Sequence, residues 1–188
     1  MKKFLLSALI AAGSVGAHAE GLYIGVAAGG SHLNLRCASG VSCDEGDTGF
    51  KLLGGYKLTK NVAVEAHYAD YGNVKGRVSG DTSGFDVAAN ANLSALGVGL
   101  ALLGDFTPDW NGVVRAGLAR NKLKTSGSAG GFSFFDSDTS TNAYIGAGVG
   151  YKLTKEITVN AAIDYTRKAL GNEAIKATLY TIGATYNF

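Results

Sequence analysis

Beyond its first nineteen residues the chain has no apolar run approaching the ~20 residues that a membrane-crossing helix needs. If it spans a bilayer, it does so as strands closed into a barrel. Charge is scarce too: Asp, Glu, Lys and Arg make up 17% of the residues, below the roughly 25% of an ordinary soluble domain. The single proline, Pro108, falls between two segments that read as strands, and interrupts neither. Cysteine is limited to Cys37 and Cys43, seven residues apart inclusive, with only His32 near in sequence. That is too few ligands for a metal site, and in an exported chain an even cysteine count favours a disulfide.

What the chain does carry begins at its N-terminus. Lys2 and Lys3 precede an apolar run from Phe4 to Ala12, and small residues end in Ala17-His18-Ala19. A charged start, a short apolar middle and an A-x-A end are the marks of a secretory signal. Residues 1–19 are therefore expected to be a cleaved signal peptide, and 20–188 a single domain. The precursor has 17 Lys+Arg against 15 Asp+Glu. Two of those lysines leave with the signal, so the remainder is formally neutral, the alkaline pI of the precursor says nothing about nucleic acid, and no nucleic-acid partner is expected.

The rest of the chain alternates with period two. Tyr180, Ile182, Ala184, Tyr186 and Phe188 share one face, and Ile157, Val159, Ala161, Ile163 and Tyr165 repeat the pattern. Alternation over about ten residues is the signature of a barrel strand. Eight strands are expected, near 22–32, 49–58, 62–71, 88–103, 112–123, 142–153, 157–167 and 175–188. The fold class read from this is an all-β, eight-stranded antiparallel up-and-down transmembrane β-barrel. Gly55-Tyr-Lys-Leu-Thr-Lys60 returns as Gly150-Tyr-Lys-Leu-Thr-Lys155, each copy leading into an alternating strand. These two turns and a third over 104–111 are short. The connections at 33–48, 72–87, 124–141 and 168–174 are longer and rich in Gly, Ser, Asn and Asp. Short turns and both termini are expected in the periplasm, and long loops outside the cell.

A soluble barrel would show the same alternation, so the composition of the second face matters. It holds Gly146, Gly148 and Gly150, or Gly97, Gly99 and Ala101, with scattered Thr and Asn. Such a face suits a crowded lumen better than bulk water. Aromatics gather at two levels: Tyr56, Phe106, Trp110, Tyr151, Tyr186 and Phe188 near the short turns, and Phe50, Tyr68, Tyr71, Tyr165 and Tyr180 toward the long loops. Two girdles are what amphipathic rings form at the two interfaces of a bilayer.

With its signal peptide, its repeated Gly-Tyr-Lys-Leu-Thr-Lys hairpins and its terminal Tyr180-x-Ile-x-Ala-x-Tyr-x-Phe188, the chain resembles the OmpA-type and opacity-type eight-stranded outer-membrane barrels of Gram-negative bacteria. The resemblance covers the whole mature chain. It implies insertion into outer-membrane lipid with help from periplasmic chaperones and the barrel assembly machinery. Tyr180, Ile182, Tyr186 and Phe188 would serve as the assembly signal. The chain stops at Phe188 without the peptidoglycan-binding domain of full-length OmpA, so anchoring to the cell wall is not implied.

Inward parity assigns Lys51, Glu65, His67, Arg115 and Asp164 to the lumen. Charges in so narrow an interior must pair, and Glu65 and Arg115, each about four residues above a short turn, stand at similar height. Arg120, Lys122, Arg167, Lys168 and Lys176 lie near the outer rim, where basic side chains reach lipopolysaccharide phosphates or are ordinary rim charges. Phe132, Phe134 and Phe135 read equally as an exposed patch for host or phage contact and as a strand extension over the mouth. Asp136-Ser-Asp138 is too short a string for a calcium loop. No nucleophile, base and orienting acid converge, so no enzyme, metal or cofactor is expected. The first function reading is a structural and surface-interaction barrel. The alternative is a narrow, porin-like channel for ions or small solutes, and a lipid-modifying enzyme comes third.

Cys37 and Cys43 are expected to be joined in protein taken from the membrane, so alkylation without reductant should label neither. The effect on barrel stability should be small, because so short a loop removes little entropy. Two alkylated thiols would refute the pairing.

Overall fold

The computed structural model describes residues 21–34, 42–43, 46–79, 86–129, 132–170 and 173–188. The expected signal peptide and Cys37 lie outside these residues. The strands are β1 (Leu22–Asn34), β2 (Ser42–Cys43), β3 (Gly46–Lys57), β4 (Val62–Ser79), β5 (Asp86–Asp105), β6 (Trp110–Ala129), β7 (Phe132–Lys152), β8 (Ile157–Leu170) and β9 (Glu173–Asn187). Each long strand pairs antiparallel with its neighbour in sequence, and β1 pairs with β9. The result is a closed eight-stranded antiparallel barrel, with β2 as a two-residue ladder against Gly76 and Arg77 of β4.

The register sets the shape. Pairing runs from Tyr23 to Gly55, Glu65, Gly99, Gly117, Tyr144, Thr166 and Ala177, and meets β1 again at Leu33. A circuit that climbs ten residues tilts the strands by roughly 40° and leaves an interior just wide enough for side chains. Within the barrel wall, burial alternates along each of the eight long strands. Ile182 is 72% exposed, Leu96 61% and Val26 59%, while Glu65, Lys51 and Arg115 are buried. An apolar outer wall around a charged interior inverts a soluble protein, and suits hydrocarbon rather than water.

The three short turns share one device. Thr59 Oγ1 accepts from the Asn61 and Val62 amides, Thr154 Oγ1 from those of Glu156 and Ile157, and Thr107 Oγ1 from that of Trp110. The threonine hydroxyl stands in for a missing ladder partner and fixes the reversal. The third turn, without the Gly-Tyr-Lys-Leu-Thr-Lys motif, is therefore built like the two repeats.

At the other end the strands run further than expected. The segments 72–87 and 124–141, read as loops from their polar composition, are largely strand. β4 and β5 pair out to Ser79 and Asp86, and β6 and β7 out to Ala129 and Phe132. Once a hairpin's register is fixed in the barrel wall, backbone bonding continues through Ser, Asp and Gly, whose low strand propensity is a weak prior. Strands β4 to β7 thus project as a four-stranded sheet beyond the barrel. Pairing of β7 with β8 begins only at Tyr144 and Thr166, so among the described residues one edge of the projecting sheet has no ladder partner.

A bulge on β4 between Asp70 and Asn73 marks where the wall ends and the projecting sheet begins. Gly72 takes φ +79 there. Its amide donates to Asp70 Oδ1 at 2.8 Å, its carbonyl accepts from Asn92 Nδ2 at 2.9 Å, and the Asn73 amide donates to Asp47 Oδ2. A β-carbon at Gly72 would meet the Asp47 carboxylate and the Thr48 carbonyl. Gly72→Ala should therefore cost about 1–3 kcal/mol, lowering the urea midpoint of refolded barrel in lipid vesicles. An unchanged midpoint would show that the bulge accommodates a side chain.

Candidate functional site: the barrel lumen

Glu65 projects inward from β4 and Arg115 from β6, and Arg115 Nε lies 2.7 Å from Glu65 Oε2. The other Glu65 oxygen accepts from the Tyr23 hydroxyl at 2.6 Å. Lys51 of β3 reaches across the lumen to Asp164 of β8, with 2.7 Å between Nζ and Oδ1. The His67 ring sits edge-on to Tyr144, centroids 4.4 Å apart. All five lumen residues named from parity are thus in one buried assembly. Tyr23 and Tyr144, which complete it, were not singled out in the sequence. The signal was available, since each has inward parity.

Small residues make room for it. His67 faces Gly97 across the ladder, Asp164 faces Gly146, Tyr23 faces Gly55 and Tyr144 faces Gly117. A β-carbon at Gly97 would strike the His67 imidazole, and one at Gly146 the Asp164 carboxylate. Within a circumference of eight strands, a large inward side chain needs a neighbour with none.

Beyond this polar assembly, toward the projecting sheet, the lumen is mainly apolar, with the buried Asn121 donating to Thr166 Oγ1 at 3.1 Å among the apolar side chains. Leu33, Leu93, Leu123, Leu179 and Tyr71 form one buried cluster with Ala69, Ala95, Ala119 and Ala177. The sequence reading expected an interior of small and polar residues throughout, and placed Tyr71 in an outer aromatic girdle. Tyr71 is in fact 2% exposed, because it shares odd parity with Glu65 and His67 on β4. The remaining girdle aromatics do face outward, with Tyr165 partly covered. Trp110 meets Tyr151, Tyr186 meets Phe188, and Phe50 meets Tyr68, at centroid distances of 5.2, 5.0 and 5.8 Å.

The other residues singled out lie outside the lumen. Arg120, Lys122, Arg167 and Lys176 are exposed. Arg167 pairs across from Lys176 on β8 and β9, whereas Arg120 and Lys122 stand on β6 with β7 between the two groups. Lys124, not named before, continues the β6 row. The side chain of Lys168 lies outside the described residues, as do those of Phe132 and Phe134. The Phe132–Phe135 segment is strand paired with β6, and Phe135 is 83% exposed. Tyr180, Ile182, Tyr186 and Phe188 all face outward.

Removing one member of a buried ion pair leaves a desolvated charge, at a cost on the order of 3–5 kcal/mol. Arg115→Ala should lower the unfolding free energy by about that much, followed by fluorescence of Trp110, the one tryptophan. The double variant Glu65→Ala/Arg115→Ala should be less destabilised than Arg115→Ala alone. Equal losses would mean that water compensates Glu65.

No curated protein sequence matches the chain. Among solved structures, it is similar to Ail, the attachment invasion locus protein of Yersinia pestis, with a TM-score of 0.60 and 20% identity over 90% of this chain and 99% of that one. It is also similar to Neisserial surface protein A, with a TM-score of 0.59 and 19% identity over 89% and 97%. At these identities the likeness shows the fold. The model of the outer membrane protein beta-barrel domain matches residues 4–188, and the chain belongs to that family of bacterial outer-membrane barrels.

Proposed function

We propose that this barrel is a plugged scaffold that strengthens the outer membrane and makes its contacts through the projecting strands. One observation carries the reading: the lumen is filled twice over. The polar layer of Tyr23, Glu65, Arg115, Lys51 and Asp164 is followed by the apolar layer of Leu33, Leu93, Leu123 and Leu179. In this orientation the short turns and both chain ends face the periplasm, and the projecting sheet faces the exterior.

The basic rows at the outer rim, Arg120, Lys122 and Lys124 on β6 and Arg167 with Lys176, would meet lipopolysaccharide phosphates. Phe135 on the projecting sheet would meet host or phage surfaces. Ail of Yersinia pestis has been solved in complex with the heparin analogue sucrose octasulfate, and a row of exposed cations suits polyanions of that kind. The outward Tyr180, Ile182, Tyr186 and Phe188 would present the assembly signal to the assembly machinery after chaperone delivery. A disulfide between Cys37 and Cys43 belongs to the same proposal. We infer no catalytic role, since no lumen group in the assembly is a nucleophile paired with a base.

A narrow channel is the second reading. It is favoured by five buried polar atoms without a protein partner: His67 Nδ1, Asn121 Oδ1, Tyr144 OH, Asp164 Oδ2 and Thr181 Oγ1. Such atoms, strung along a lumen, suit a file of water. Single-channel recording in planar bilayers separates the two. The scaffold reading expects a silent wild type. Glu65→Ala/Arg115→Ala should stay nearly silent while the apolar layer remains, and steady current should appear only when Leu93→Ala and Leu179→Ala are added. A wild type with a steady open state would favour the small-solute pore.

A further inference from the structure

At the short-turn end the lumen opens into a cavity of about 470 Å³, closed above by Tyr23, Glu65 and Arg115. Its cationic lining comes from the internal repeat. Lys57 and Lys60 of the first copy and Lys152 and Lys155 of the second all border it. The two copies sit on different hairpins, yet barrel closure brings all four ammonium groups to one mouth.

The charges there do not balance. Arg115 is matched by Glu65, and Lys152 by Asp105 with 2.8 Å between Nζ and Oδ1. Those two carboxylates are the only ones that border the cavity among the described residues. Lys57 donates to the neutral Asn187 amide oxygen at 2.8 Å, stands 5.8 Å from the Tyr23 ring centroid, and has both Lys152 and Asp105 as charged neighbours, the carboxylate being the one already paired with Lys152. Lys60 and Lys155 extend from the turns with no carboxylate against them among the described residues. Asp109 and Glu156, also on the turns, do not border the cavity, and Glu156 accepts from Thr154 Oγ1 at 2.9 Å. Five cations (Lys57, Lys60, Arg115, Lys152 and Lys155) against the two carboxylates Glu65 and Asp105 thus leave an excess of three positive charges on a concave surface, which focuses a positive potential and raises the local concentration of anions.

We propose that this mouth is a binding site for a multivalent phosphate group, held by Lys57, Lys60 and Lys155. Lysine serves as a point-charge phosphate ligand on a flexible stem, and three such stems close around one or two phosphates. The phosphate is either a free anion or the head group of an anionic phospholipid in the adjoining leaflet. The site lies below the polar layer, so it exists whether or not the lumen conducts.

The test uses the full folded barrel in neutral detergent, titrated calorimetrically with pyrophosphate at fixed ionic strength. One saturable site is expected, weakened about tenfold or more in Lys60→Gln/Lys155→Gln. The turns are held by threonine rather than by these lysines, so the variant should fold and keep its gel mobility. Arg120→Gln/Lys122→Gln, with the same charge removed at the far end, should bind as the wild type does. A second measurement needs no variant: pyrophosphate should slow acylation of Lys60 and Lys155, but not of Lys122. In nanodiscs, competition by cardiolipin, whose head group carries two phosphates, would identify the lipid as the source, and its absence the free anion. No saturable binding, equal loss in both double variants, or uniform acylation would overturn the site.

Discussion

The ladder between β1 and β9 is the interaction on which the rest depends. In hydrocarbon an unpaired backbone N–H or C=O costs several kcal/mol, so a sheet in lipid must have no edge. Closing at eight strands meets that demand and fixes the bore. The narrow bore explains why glycine stands opposite His67, Asp164, Tyr23 and Tyr144, and why charges inside must find each other across it. Gly55, Gly97 and Gly146 are the negative image of the lumen side chains they face.

The buried ion pairs are better understood as registration marks than as a source of stability, since a well-packed apolar layer can be as stable as a buried pair. A slip of β4 by one residue would turn Glu65 and His67 into lipid and bring Val64 and Ala66 inside, and a slip of β6 would do the same to Arg115. A charge facing the bilayer interior is costly enough to exclude those registers. The polar layer thus opposes misalignment on the strands that carry it, β3, β4, β6 and β8, while the leucine layer contributes the larger share of dry packing.

Much of this was legible as parity. The alternation from Ile157 to Tyr165 and from Leu179 to Phe188 shows which face meets lipid, and the same count puts Glu65, His67, Arg115 and Asp164 inside. Two kinds of feature escaped. Segments such as Asp136-Ser-Asp-Thr-Ser-Thr141 have the composition of a loop, yet a register inherited from the wall carries them as strand. Tyr71 was judged by residue type, as a girdle aromatic, when its parity with His67 placed it inside. The convergence of Lys57, Lys60, Lys152 and Lys155 was present as a repeat, but only closure shows that both copies face one opening.

The projecting sheet of β4 to β7 reintroduces what the barrel was built to avoid. Above Tyr144, β7 has no ladder partner on one side among the described residues, and an unpaired strand edge is a template for pairing with another chain. The residues along it supply a safeguard: Asp136 and Asp138, alternating with Ser137 and Thr139, sit on that edge. Two copies approaching edge to edge in antiparallel fashion would set these carboxylates against each other, and like charges directly opposed disfavour a ladder. The acidic stretch therefore weighs against edge-to-edge pairing of this sheet with a second copy of the chain.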